Sequence, residues 1–171
     1  MAKIKMRSSC PLVALLACVL ASLFASCSDN DVLYDEFVSL RQHNWSKDSL
    51  AIFQVDVSDT VSSYDVALQV RNDNSYPFAN LWLFIDVVSP DGLVRRDTTN
   101  CQLAEPDGAW LGAGWGSLYT VSCPYLSNVR FSKPGVYSFR LSQGMRTDSL
   151  EGLHNIGLII SKNLDSSDGK E

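Results

Sequence analysis

Glu105 and Asp107 are the nearest this sequence comes to a catalytic pair, two carboxylates either side of Pro106 with Gly108 following. Paired carboxylates can divide general acid and base work, as in glycosidases, where they stand about 5–10 Å apart. In a Glu-Pro-Asp-Gly run they are more simply turn formers facing water. His43 and His154 are the two histidines of the chain. That number excludes a histidine-rich metal site, and a lone histidine near a strand end is far more often a surface or hydrogen-bonded residue than a base. Asp29, Asp31 and Asp35 lack the ligand spacing of a calcium loop. There is no CxxC and no metal-like cysteine spacing. The residues spell out no reaction, so the expectation is a non-catalytic protein with no cofactor and no metal.

The chemistry of Cys27 is more legible. Lys3, Lys5 and Arg7 make a charged start, Pro11 to Phe24 an apolar run, and Ala25 and Ser26 are the small residues before the cysteine. That order is an export signal. Pro11 and Ser22 interrupt the run, which falls short of the ~20 apolar residues that a spanning helix needs. A cysteine in this place is the acylation site of bacterial lipoprotein signals, so Cys27 is expected to carry the lipid, palmitate included. Residues 1–26 would then be removed. Cys18 and Cys10 compete, but Cys10 sits too early, and polar sequence begins directly after Cys27. Such signals usually carry Leu three residues before the cysteine, where this chain has Phe24; plain secretion with cleavage nearby is the alternative. Ser28 in the second mature position resembles outer-membrane sorting, and Ser28-Asp29-Asn30-Asp31 resembles the acidic surface-export signals of Bacteroidota lipoproteins. The expected location is the outer membrane, lipid-anchored, with the face left open.

Removal of the signal leaves eleven basic residues against nineteen acidic ones, a formal charge of about −8. An acidic surface without a Lys/Arg cluster argues against nucleic acid and against anionic lipid. Membrane attachment rests instead on acyl chains, each contributing ~0.8 kcal/mol per buried methylene. Of the thiols, Cys101 and Cys123 remain. An oxidising compartment permits a disulfide that would add about 3 kcal/mol by constraining the unfolded chain, and two buried free thiols are the alternative.

Glu105 to Gly116 is the stretch that looks built for a purpose. Its four glycines and a proline exclude helix and strand interior, yet Trp110, Leu111 and Trp115 sit among them. A phosphate-binding loop is a poor fit, because no strand-to-helix context and no Gly-Lys-Ser/Thr follow. One reading folds the aromatics back to plug the core; the other makes them a platform for a protein or a sugar. For a sugar, Trp45, Trp110, Trp115 and Tyr119 would form it. Arg71, Arg130, Arg140 and Arg146 lie in or beside strands and are expected mostly to pair with surface carboxylates. Arg146 is the one to watch: if it meets Asp107, the two make one patch.

Period-two alternation positions these residues. Ala51, Phe53, Val55 and Val57 alternate with polar neighbours, as do Val66, Leu68 and Val70. Leu81 to Val88 is apolar on both faces except Asp86, as expected for a central strand or one covered by a partner. Ser89-Pro90-Asp91-Gly92 turns the chain back into Val94 to Ala104. Leu118 to Cys123, Val129 to Phe131, Val136 to Ser142 and Ile156 to Ser161 follow, and Val32 to Leu40 is a short strand or an extended lead-in. The architecture is all-β, a single antiparallel β-sandwich of about eight or nine short strands. Residues 27–44 are the acylated, acidic tether with a candidate first strand, 45–162 the sandwich, and 163–171 a disordered tail.

In order along the mature chain, the sequence resembles the gliding motility lipoprotein GldH family of Bacteroidota. Tyr34-Asp35-Glu36-Phe37, Trp45-Ser46-Lys47-Asp48-Ser49, Leu68-Gln69-Val70-Arg71-Asn72 and Tyr76-Pro77-Phe78-Ala79-Asn80-Leu81-Trp82-Leu83 are similar to its early segments. Ser89-Pro90-Asp91-Gly92, the loop from Pro106 to Ser117, Asn128-Val129-Arg130-Phe131 and Ser142-Gln143-Gly144-Met145-Arg146 are similar to its later ones. The resemblance implies a cell-envelope lipoprotein needed for gliding in species that glide, a movement linked to type IX secretion. It implies partners among the envelope proteins of such an apparatus and carries over no site residue except the acylated cysteine, matched by Cys27. A carbohydrate-binding sandwich using the Trp110/Trp115 loop is the alternative function.

Overall fold

The computed structural model describes residues 32–163; Cys27, the signal before it and residues 164–171 lie outside the described residues. Alternation becomes burial in register. In β3 (Ala51–Val57) and β4 (Tyr64–Asp73) every second residue is buried and the residues between are not. β5 (Asn80–Val88) buries Leu81, Leu83 and Ile85 on one face and leaves Trp82 and Phe84 each 44% exposed on the other.

Three antiparallel sheets result. A five-stranded sheet runs β1 (Val32–Ser39), β11 (Leu153–Lys162), β4, β8 (Leu118–Val129) and β7 (Ala113–Trp115); a four-stranded sheet runs β3, β9 (Gly135–Gln143), β5 and β6 (Val94–Gln102). β2 (Asn44–Ser46) and β10 (Ser149–Glu151) pair alone. Buried residues of β3, β5 and β9 join those of β4, β8 and β11 in one core, which makes the two larger sheets the layers of a sandwich. At roughly 25 cal/mol for each Å² of apolar surface buried, that shared core is the main favourable term holding the layers together.

Eight of the eleven strands are long, and the other three have three residues each. β5 is central, between β9 and β6, as its two-faced apolar run predicts. β6 forms the edge and carries Arg95, Arg96 and Asp97 in or near solvent, charges that discourage pairing with another chain. Val129 to Phe131 is not a separate strand: β8 continues through Pro124 to Val129, with register shifts opposite Val66 that absorb the proline.

Pairing continues beyond residues 45–162 at both ends, and the candidate first strand at Val32 to Leu40 forms. β1 pairs with β11 from Val32↔Ser161 to Ser39↔Asn155, so the sheet takes in residues assigned to the tether. Asn163, assigned to the tail, donates its backbone N–H to Ser63 (2.8 Å) and its side-chain amide to Asp65 (3.0 Å).

Candidate functional site

The run Ala79 to Trp82 is where the singled-out segments converge. Leu103 and Ala104 donate their backbone N–H groups to the Ala79 carbonyl (2.8 and 3.0 Å), and Gly144 donates to the Trp82 carbonyl (2.7 Å). The loop after β6 and the loop after β9 are therefore held by one four-residue stretch. Arg146 shares a groove of about 520 Å³ with Phe78, Asn80, Trp82 and Met145. Asp107 instead accepts the Ala109 N–H (3.1 Å) inside its own turn. The two residues hang from the same run but engage different neighbours.

Glu105 to Gly116 is more regular than its composition suggests. Glu105 and Ala109 close a tight turn (N to O, 2.8 Å), Gly108 takes φ 89°, and Leu111 donates to Leu103 (2.9 Å), so residues 103–111 form a small hairpin. Glu105 and Asp107 are both exposed turn residues. The glycines then serve a close approach rather than flexibility. A Cβ on Gly114 would lie 2.0 Å from the Leu118 carbonyl oxygen, and one on Gly112 2.5 Å from that of Thr120. Only bare backbone can lie this close to β8, and so a strand, β7, forms where a strand interior looked excluded.

The tryptophans divide. Trp110 is half-buried, donates Nε1–H to Asn74 (2.9 Å), and packs 6.5 Å from Tyr76 and 6.0 Å from Tyr119 between ring centroids. That is the packing role. Trp115 is 95% exposed and Leu111 43% exposed. Trp45 is 1% exposed, with its indole N–H bonded to the Ser49 carbonyl (3.1 Å), so it cannot belong to a sugar platform with Trp110, Trp115 and Tyr119. What remains is one projecting indole on β7 and, on the other sheet, a groove containing Arg146, surfaces suited to a polypeptide with apolar side chains and a carboxylate.

Cys101 on β6 and Cys123 on β8 are buried free thiols in the core. Hydrogen bonding to Cys123, helped by burial, pushes the Cys101 thiol far up. Among the described residues, Arg71, Arg130, Arg140 and Arg146 form no ion pair with a carboxylate, whereas Arg95 and Arg96 pair with Asp97 and Asp86. Arg71 lies 4.6 Å over the Phe37 ring and donates to Thr120, and Arg130 donates to Ser63. An apolar cleft of about 400 Å³ beside Tyr125 and Phe131 is lined by Arg130 and by none of the residues of the Glu105 to Gly116 loop.

The two histidines are not separate. Their rings stack at 3.7 Å with planes 20° apart, and His154 Nε2 lies 2.7 Å from Asp73 Oδ2. Burial acts to raise the Asp73 pKa, but hydrogen bonds from His154 and Ser75 outweigh it and hold the carboxyl at about 2. No local spacing links positions 43, 73 and 154. The β11–β4 register brings His154 to Asp73 and the turn at Arg41–His43 lays His43 on them, so sequence reasoning had no signal for the trio.

Comparison with known proteins supplies the remaining finding. The family model described as GldH lipoprotein matches residues 32–160. A curated protein of Christiangramia forsetii named gliding motility lipoprotein GldH homolog is 37% identical over 147 residues, covering 82% of this chain and 89% of that one. The Flavobacterium johnsoniae protein named gliding motility lipoprotein GldH is 32% identical over 151 residues, covering 84% and 93%. Among solved structures, a chain of infectious bursal disease virus Gx strain aligns with 94% of this chain and 36% of its own length, at 12% identity and a TM-score of 0.35. That likeness carries no argument.

Proposed function

Because the chain belongs to the GldH lipoprotein family, we propose that it is a non-catalytic docking protein of a gliding-related apparatus, anchored to the outer membrane through acyl chains on Cys27. Its partner is an envelope protein of that apparatus, which in this reading includes components linked to type IX secretion. The observation that carries the docking role is Trp115, 95% exposed on a strand fixed against β8 by Gly112 and Gly114. An indole left in water on a strand paired to the sheet edge has its apolar surface removed from solvent only when a partner covers it. Trp82 and Phe84, half exposed on the outer face of β5, and the Arg146 groove that Trp82 lines supply a second exposed apolar surface on the other sheet.

The test is in-cell photocrosslinking with a probe at Trp115, at Arg146 and, as a control, at the 82%-exposed Val61 in the loop before β4. One envelope protein recovered from Trp115 and Arg146 but not from Val61 is the expected result. Adducts at Val61 alone, in folded and anchored protein, would overturn the assignment.

A further inference from the structure

We propose that His43, Asp73 and His154 form a binding site for a borderline divalent transition metal, tested here as zinc. One donor atom from each lies within 4.8 Å of the others. Two imidazoles and a carboxylate are a donor set that zinc takes readily, at about 2.0–2.2 Å from each, with a fourth position left to water.

Two separate departures from regular backbone create the cluster. The register of β11 against β4 shifts between Leu153 and Asn155, which makes His154 the residue at a β-bulge. Bulges re-aim side chains, and here the ring reaches Asp73. The other departure is at Gln42 and His43, consecutive non-glycine residues that both adopt φ 54°. Left-handed backbone in ordinary residues is unfavourable and persists where the surroundings enforce it. Its effect here is to lay the His43 ring on that of His154. The Leu40 N–H bonds to the His154 carbonyl (2.9 Å) and ties the His43 turn to the bulge.

The carboxylate is equally well placed. Asp73 Oδ1 accepts the Ser75 N–H (2.8 Å) and the Ser75 hydroxyl, leaving Oδ2 toward His154, while the Asp73 N–H bonds to the Gly152 carbonyl (2.9 Å). A ligating carboxylate oriented by further hydrogen bonds is what metal sites require of their surroundings. Zinc would replace the hydrogen bond between His154 Nε2 and Asp73 Oδ2, a ligating neutral imidazole carrying its proton on the ring nitrogen that does not face the metal. The 2.7 Å gap opens slightly, and the exposed His43 ring splays to turn a nitrogen inward. Asp73 also precedes Asn74, the acceptor for Trp110, which places the metal one residue from the anchor of the docking loop.

The experiment is a zinc titration of the untagged, detergent-solubilised full chain against a competing chromophoric chelator, beside His43→Ala and His154→Gln. One zinc per chain is expected, with affinity at least tenfold weaker in each variant. His43 is exposed, so His43→Ala keeps its fold even if His154→Gln does not. Cobalt(II) loaded into the native chain should show intense tetrahedral visible bands that His43→Ala loses. Absence of stoichiometric zinc binding, or binding unchanged in His43→Ala, overturns the proposal. Because the readout is metal affinity, its failure leaves the crosslinking test of the docking surface untouched.

Discussion

Cys101 on one sheet and Cys123 on the other are both buried thiols inside the core of the sandwich, and interaction with Cys123 raises the Cys101 pKa. They stand where a disulfide would staple β6 to β8. Chain folded in an oxidising compartment is expected to lose two hydrogens from this pair, and the bond would add about 3 kcal/mol of stability. The raised Cys101 pKa means little thiolate in the folded state, so oxidation should precede burial and the finished bond should resist reductant until the protein unfolds. Intact mass after alkylation under denaturing conditions checks the first point. Urea midpoints with and without reductant check the second. Two alkylated thiols in protein purified from an oxidising compartment would assign the pair to packing alone.

Trp110 and Trp115 should respond oppositely to truncation. Trp110→Ala removes a half-buried ring and its bond to Asn74, and it should cost about 2–3 kcal/mol. Trp115→Ala removes a side chain in water and should stay within about 0.5 kcal/mol of native. Gly114→Ala is a third case. Its Cβ would meet the Leu118 carbonyl oxygen at 2.0 Å, so β7 must detach from β8 while the core stays intact. Chemical denaturation measures the first two, and backbone amide exchange at Ala113 to Trp115 the third.

β3 and β4 are legible because each buries one face, so alternation in the sequence becomes alternation in burial; β5 is legible instead from its continuous apolar run. β7 was not legible. Glycine normally weakens a strand, and only the backbone approach to Thr120 and Leu118, a tertiary fact, reverses that meaning. The aromatic loop was recognised as a candidate, but type and spacing could not separate Trp110, which finds Asn74, from Trp115, which finds nothing. The histidine cluster was illegible for a similar reason. Residues 43, 73 and 154 become neighbours through a bulge and a left-handed turn, neither of which has a signature in residue type here.

Trp45 tests the remaining sugar reading. It is buried and its indole N–H is bonded to Ser49, so Trp45→Ala should destabilise the domain by about 3–5 kcal/mol without exposing any ligand face. Its fluorescence should be insensitive to soluble glycans and shielded from acrylamide. Quenching should be dominated by Trp115, with Trp82 contributing. A native-like urea midpoint in Trp45→Ala would contradict the burial argument.

Acid should loosen the fold through carboxylates that hold their charge in the native state. The hydrogen bond from Lys133, followed by that from Ser89, keeps Asp91 at about 2. Ser62, Val61 and Lys162 donors hold Asp59 well below the usual carboxylate range, and the two-pronged Arg96 contact (2.6 Å each) lowers Asp86 against the opposing effect of burial. In the unfolded chain these groups titrate near pH ~3.9. A depressed native pKa means that the unfolded state binds the proton first, so the stabilisation is fully present above about pH 4 and drains away as pH falls toward about 2. Each pair is largely solvent-exposed, so the individual contributions are small and screened by salt. Urea midpoints measured from pH 6 down to pH 2 should fall, with a shallower slope in Asp91→Asn than in the native chain. Equal slopes in the two proteins would mean that the Asp91–Lys133 contact makes no difference between folded and unfolded states.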